Sequence, residues 1–67
     1  MISLTTKTGE YYKGINIQTN EMEFTASKEE AKKFQNRWFV NAHINFLKYH
    51  FPDKNEIISN LEMNYEL

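Results

Sequence analysis

From Trp38 to Phe51 apolar side chains fall on nearly every side of one helical period, and no other feature constrains the fold as strongly. On a wheel of about 100° per residue, Ala31, Phe34, Trp38, Ala42 and Tyr49 share one sector, with Asn45 and Phe46 at its borders. Val40, Ile44, Leu47 and Phe51 form a second stripe on nearly the opposite side, with the spacing of a heptad seam. One helix over one sheet buries only one of these sides. The sector with Phe34 and Trp38 is expected to face the sheet, each large ring contributing about 2–3 kcal/mol by burial. The second stripe then needs cover from a second copy of the chain, from a foreign partner, or from the last strand and the Pro52 turn wrapping round. Left bare it would be an apolar patch of a kind monomers seldom expose. Val40, Ile44, Leu47 and Phe51 are accordingly expected to form a homodimer or partner interface. Replacing Ile44 and Leu47 by Lys should then leave a folded monomer.

Ser27 and Glu30 have the spacing of a capping box, so a helix is expected to start at Lys28 and to end before Pro52, near His50 or Phe51. Roughly 24 residues at about 1.5 Å each make a rod of about 35 Å. Before it, Tyr11, Lys13, Ile15 and Ile17 alternate with Tyr12, Gly14, Asn16 and Gln18, the period of a half-buried strand, and Gly14 marks a candidate bulge. Thr19-Asn20-Glu21 supplies turn chemistry and Met22–Thr25 alternates again, which completes a hairpin. Ile2–Lys7 is rich in β-branched residues and is read as a third strand. After the Pro52 turn, Ile57, Ser59, Leu61, Met63, Tyr65 and Leu67 alternate with mostly polar neighbours, as a closing strand would, with a short helical turn over Glu56–Ser59 as the alternative. The expected fold class is α+β, with a small antiparallel sheet of two or three N-terminal strands plus a C-terminal strand, covered by one long helix in the order (β)ββαβ.

At 67 residues the chain has room for one domain, 1–67, and one small core. Without cysteine there is no disulfide framework, thiol nucleophile or thiolate metal site. No apolar run approaches the ~20 residues of a membrane span, and the basic-then-apolar order of a signal peptide is missing, so a cytoplasmic location is expected.

The chemistry-bearing residues point away from catalysis. His43 and His50 lie seven positions apart, about 10.5 Å of helical rise, too far to clasp one metal ion. Both are expected as partly exposed side chains beside Phe39 and Phe46. Ser27 is a cap, no serine sits in a nucleophile motif, and Gly9 and Gly14 make no phosphate-cradling loop. No enzyme activity, metal, cofactor or small-molecule substrate is expected. A nucleic-acid contact set can be composed from Tyr11, Tyr12 and Lys13 on a strand with Lys33 and Arg37 on the helix. The net charge of −1 and the single Arg weigh against it.

Tyr11–Ile17, the hairpin to Met22-Glu23-Phe24, the run Thr25–Phe34 and the closing strand Ile57–Tyr65 together resemble the strand, hairpin and Glu-Ala-Lys-x-Phe helix layout of small phage and prophage proteins of Gram-positive bacteria. The likeness spans most of the chain and rests on layout. It implies a small accessory protein, acting in the cytoplasm of a host bacterium on a host or phage protein, as an inhibitor or accessory of a host machine.

Overall fold

In a computed structural model that describes residues 1–66, the N-terminal run forms strand β1 (Ile2–Thr5), followed by β2 (Tyr11–Asn16), β3 (Glu21–Thr25), helix α1 (Arg37–His50), the short helix α2 (Asn55–Ser59) and β4 (Glu62–Tyr65). Single 3-10 turns occupy Lys28–Glu30 and Pro52–Lys54. The four strands make one antiparallel sheet in the order β3-β2-β1-β4. An α+β architecture of this kind is what the strand and helix signals call for.

The hairpin forms as its residues dictate. Asn20 takes a left-handed conformation at φ 57°, and the Asn16 side chain accepts from the amides of Gln18 and Thr19, fixing the turn from within. A bulge falls between Tyr12 and Gly14, with Gly14 at φ 130°, a conformation that side chains other than glycine's rarely adopt. The extra residue shifts the alternation by one. Tyr12 and Ile15 therefore share the core face with their cross-strand partners Phe24 and Met22, instead of lying on opposite faces as an unbroken alternation implies.

The long helix from Lys28 does not form. Glu30 turns its carboxylate to the Thr25 hydroxyl, which donates to it over 3.0 Å, and Ser27 donates to Glu29. The Ser27 amide is satisfied by the Thr25 hydroxyl, so neither half of the capping box closes. The chain then becomes extended from Ala31. The amide of Lys32 donates to the Tyr12 carbonyl (3.0 Å), and Phe34 and Ile2 exchange both backbone hydrogen bonds at 2.8 Å. β1 and β2 pair only at Thr5–Tyr11, and residues 32–34 occupy the polar groups that the two strands leave open beyond that point. Ala31 and Phe34 are buried here as part of the sheet's margin and not as part of a helix. The helix proper starts only at Arg37, seven residues after the end of the first turn, and the Asn36 side chain caps it by accepting from the Phe39 amide.

That late start fixes which side of α1 is covered. Val40 (1% exposed) and Leu47 (0%) face inward and join Ile2, Leu4, Tyr12, Phe34, Phe51 and Ile58 in a single core, with Ile44, Leu61 and Met63 packed against it. The Val40, Ile44, Leu47 and Phe51 stripe thus meets this chain's own sheet and the segment after Pro52, and the expectation of a partner on it is corrected. Trp38 and Tyr49, expected on the sheet, point to solvent. The closing segment also divides. Pro52 starts a turn that leads into α2, so Ile58 is buried and Ile57 half-exposed, the reverse of their places in a continuous strand, and β4 begins only at Glu62. The part of that strand expected at Leu67 lies outside the described residues.

One cost is visible in the sheet's centre. Ser3 is fully buried and its hydroxyl has no hydrogen-bond partner among the described residues. Ser3→Ala is expected to leave thermal stability unchanged or raised, since an unmade buried hydrogen bond costs on the order of 1–3 kcal/mol. Leu47→Ala should lower unfolding free energy by about 2–5 kcal/mol, and Ile44→Lys with Leu47→Lys should unfold a chain whose whole stability is only several kcal/mol. Circular dichroism melting checks all three, and a folded double-lysine monomer contradicts this packing.

Candidate functional site

With Val40 and Leu47 turned inward, the 100° spacing carries Trp38, Ala42 and Tyr49 to the opposite side of α1, flanked by Phe39 and Phe46. Trp38 is 70% exposed and Tyr49 87%, while Phe39 and Phe46 are each nearly half-exposed. The rings support one another: Trp38 meets Phe39 edge-on at 5.2 Å, and Phe46 stacks on His50 at 5.2 Å with planes 16° apart. The Nε2 of His50 also lies 3.2 Å from the Asn20 side-chain oxygen, tying the end of α1 to the hairpin turn.

Beside this aromatic face runs a groove of about 520 Å³, lined on one side by Lys32, Lys33, Phe34 and Gln35 and on the other by Phe39, Ala42, His43 and Phe46. It exists because the extended segment stands off from the helix it precedes. The Lys32 ammonium lies 5.5 Å from the Phe34 ring centre, over its face. His43 packs between Tyr12, Phe34 and Phe46, and its Nε2 sits 2.7 Å from the Tyr12 hydroxyl. The direction of this hydrogen bond follows the ring tautomer: the hydroxyl donates when Nε2 is bare and accepts when Nε2 carries the proton. Burial, with the positive charge of Lys32 added, lowers the His43 pKa, and burial pushes Tyr12 up to about 12.

The run of chain that contains this face is one-sided in charge. From Ala31 to Pro52 there are four cations, Lys32, Lys33, Arg37 and Lys48, and no carboxylate. Lys33 is engaged by Glu66 at 3.1 Å, and its hydrogen bond holds the Glu66 carboxyl below the usual carboxylate range. Lys32, Arg37 and Lys48 take part in no ion pair among the described residues.

The nucleic-acid set composed from the sequence is not assembled as a platform. Tyr12 is fully buried with its hydroxyl on His43, Tyr11 is half-buried, Lys13 lies 4.0 Å from Glu30, and Lys33 is held by Glu66. Arg37 stands apart at the first turn of α1. The two histidines diverge, His43 to the core and His50 to the hairpin turn, and among the described residues no group of three metal-ligating side chains comes together. Trp38, Phe39, Phe46 and Tyr49, which α1 places on its outer side, carried a signal in the sequence as half of an all-round apolar helix, whereas the pairing of Tyr12 on β2 with His43 carried none. For the helix, only its orientation was hidden. No protein-family profile matches the chain, and comparison with curated proteins and with solved structures likewise finds no match.

The Tyr12–His43 pair gives a pH dependence on both sides of neutrality. The folded state holds His43 neutral below the ordinary value of 6.5, so it binds fewer protons than the unfolded chain there, and stability is expected to fall as pH drops from 6.5 toward the lowered value. On the alkaline side, stability should decline as pH rises from 10.0 toward about 12, where only the unfolded chain loses the Tyr12 proton. An NMR titration placing His43 above 6.5 contradicts the burial of a neutral ring.

Proposed function

We propose that this chain is a non-catalytic interaction module that docks a partner protein on the outer face of α1, through Trp38, Phe39, Ala42, Phe46 and Tyr49. The observation that carries this reading is the exposure of Trp38 and Tyr49 on one face of a helix whose opposite side already holds the core. Tryptophan and tyrosine concentrate binding energy at protein interfaces, and a contiguous apolar face of this kind on a small domain marks an interaction site. The adjoining groove supplies the complementary hollow that would receive a partner side chain. Such a face needs no catalytic group and no cofactor.

The layout resemblance to small phage and prophage proteins supports a narrower form of the same reading. The module acts in the cytoplasm of a bacterial host, and its partner is a host or phage protein that it assists or inhibits. The absence of cysteine accords with a reducing compartment.

A photo-crosslinking amino acid at Ala42, in cells that express the protein from its natural locus, should give a discrete protein adduct that the same group at Glu21, on the hairpin, does not. Trp38→Ala with Tyr49→Ala should keep the melting temperature within a few degrees and abolish the adduct. Loss of nothing in that variant, or an adduct to nucleic acid, overturns the reading.

A further inference from the structure

We propose that the open edge of β4 pairs antiparallel with β4 of a second copy of this chain, with Met63 opposite the partner's Met63 and the Tyr65 ring of each copy seated in a hollow beside α1 of the other. β4 ends the strand order β3-β2-β1-β4, so one of its edges has no neighbouring strand. Which groups face that edge follows from β1. Ile2 engages both its amide and its carbonyl with Phe34 and stands opposite Tyr65, so the backbone groups of Ile2 and, by alternation, of Leu4 point away from β4. Their partners Tyr65 and Met63 therefore turn their own amides and carbonyls outward, while Asn64 and Glu62 bond to β1. The Glu66 amide, which donates inward to the Met1 carbonyl, keeps the same alternation. Neither proline nor a bulge closes this edge.

The helix-facing side of β4 adds a receptor. Beside Met63 and the preceding Leu61 a hollow of about 210 Å³ opens toward α1, walled by Val40, Ile44 and Lys48. Tyr65 projects on the same face as Met63 and is 63% exposed, so its ring is largely uncovered in its own copy.

The register selects the occupant. Outward groups of two identical strands meet only if the two-fold axis falls at Met63, Asn64 or Tyr65. Centred on Asn64, Glu62 is set against the partner's Glu66, carboxylate against carboxylate. Centred on Tyr65, the two rings oppose each other and neither reaches the hollow, which lies at Leu61 and Met63. Centred on Met63, the two methionines exchange both backbone bonds, Glu62 faces the partner's Asn64, whose side-chain amide can donate to it, and Tyr65 faces the partner's Leu61 at the mouth of the hollow. The edge is thus complementary to itself, and one two-fold operation fills both hollows. Residues 61–65 of each copy make about 17 Å of paired strand, a contact at the small end of interfaces and therefore a weak dimer. Trp38 and Tyr49 lie on another side of α1 from Ile44 and Lys48, so this pairing leaves the aromatic face open.

Sedimentation equilibrium on the full chain should show the mass rising from monomer toward dimer between about 10 μM and about 1 mM. Over that range the Met63 and Tyr65 amides should slow in hydrogen exchange, while Asn64, bonded to β1 in both states, should not change with concentration. Tyr65→Pro removes an outward amide and an exposed ring, leaves the bonds to β1 intact, and should stay folded by circular dichroism and monomeric throughout. Tyr65→Ala keeps the amide, empties the hollow, and should weaken the dimer about fivefold or more at an unchanged melting temperature. Asn64→Lys sets an ammonium opposite the partner's Glu62 and should tighten the dimer about threefold. An unchanged or weaker dimer in Asn64→Lys overturns the pairing centred on Met63. A wild type that stays monomeric at the highest concentration overturns the proposal. So does a dimer that survives Tyr65→Pro, or one that Trp38→Ala with Tyr49→Ala abolishes, since the copies then meet through α1.

Discussion

The late start of α1, and with it the side of the helix that is covered, follows from the paired hydrogen bonds between Ile2 and Phe34. Two backbone groups near the start of the chain are satisfied by a residue 32 positions on, and the Tyr12 carbonyl by Lys32. Forming these bonds requires residues 31–34 to be extended, which forbids the helix that Ser27 and Glu30 invite. The delayed start at Asn36 then determines the rotation of α1 about its axis. It turns Val40 and Leu47 toward the sheet and leaves Trp38 and Tyr49 in water.

Where the signal is local, the residues announce the structure. Asn20 adopts the left-handed turn that its side chain tolerates, Gly14 marks the bulge, and the β-branched N-terminus is a strand. The two opposite stripes on the helix were also legible, as was the fact that one of them must find cover. Which stripe is covered was not, because a helical wheel carries no reference direction until a tertiary contact supplies one. The capping box failed for a similar reason. Thr25 competes for both of its partners, and the Ile2–Phe34 pairing that decides the matter joins residues no local window contains.

The Tyr12–His43 contact illustrates the same limit at the candidate site. A tyrosine read as a stacking residue becomes a core residue because the bulge changes its face, and His43, partly exposed beside Phe46 as its position implies, becomes its hydrogen-bond partner. The pair joins the centre of the sheet to the wall of the groove. Its burial keeps the ring neutral, so the wall that a docking side chain would meet is aromatic and apolar at neutral pH.

All nine carboxylates lie outside the run from Ala31 to Pro52, which holds four of the eight cations. Such segregation gives the molecule an electric dipole although its net charge is only −1. In the field of any charged body a dipole experiences a torque before it experiences contact, with its cationic end turned toward negative charge, so this segregation orients the molecule at distances where no side chain yet touches.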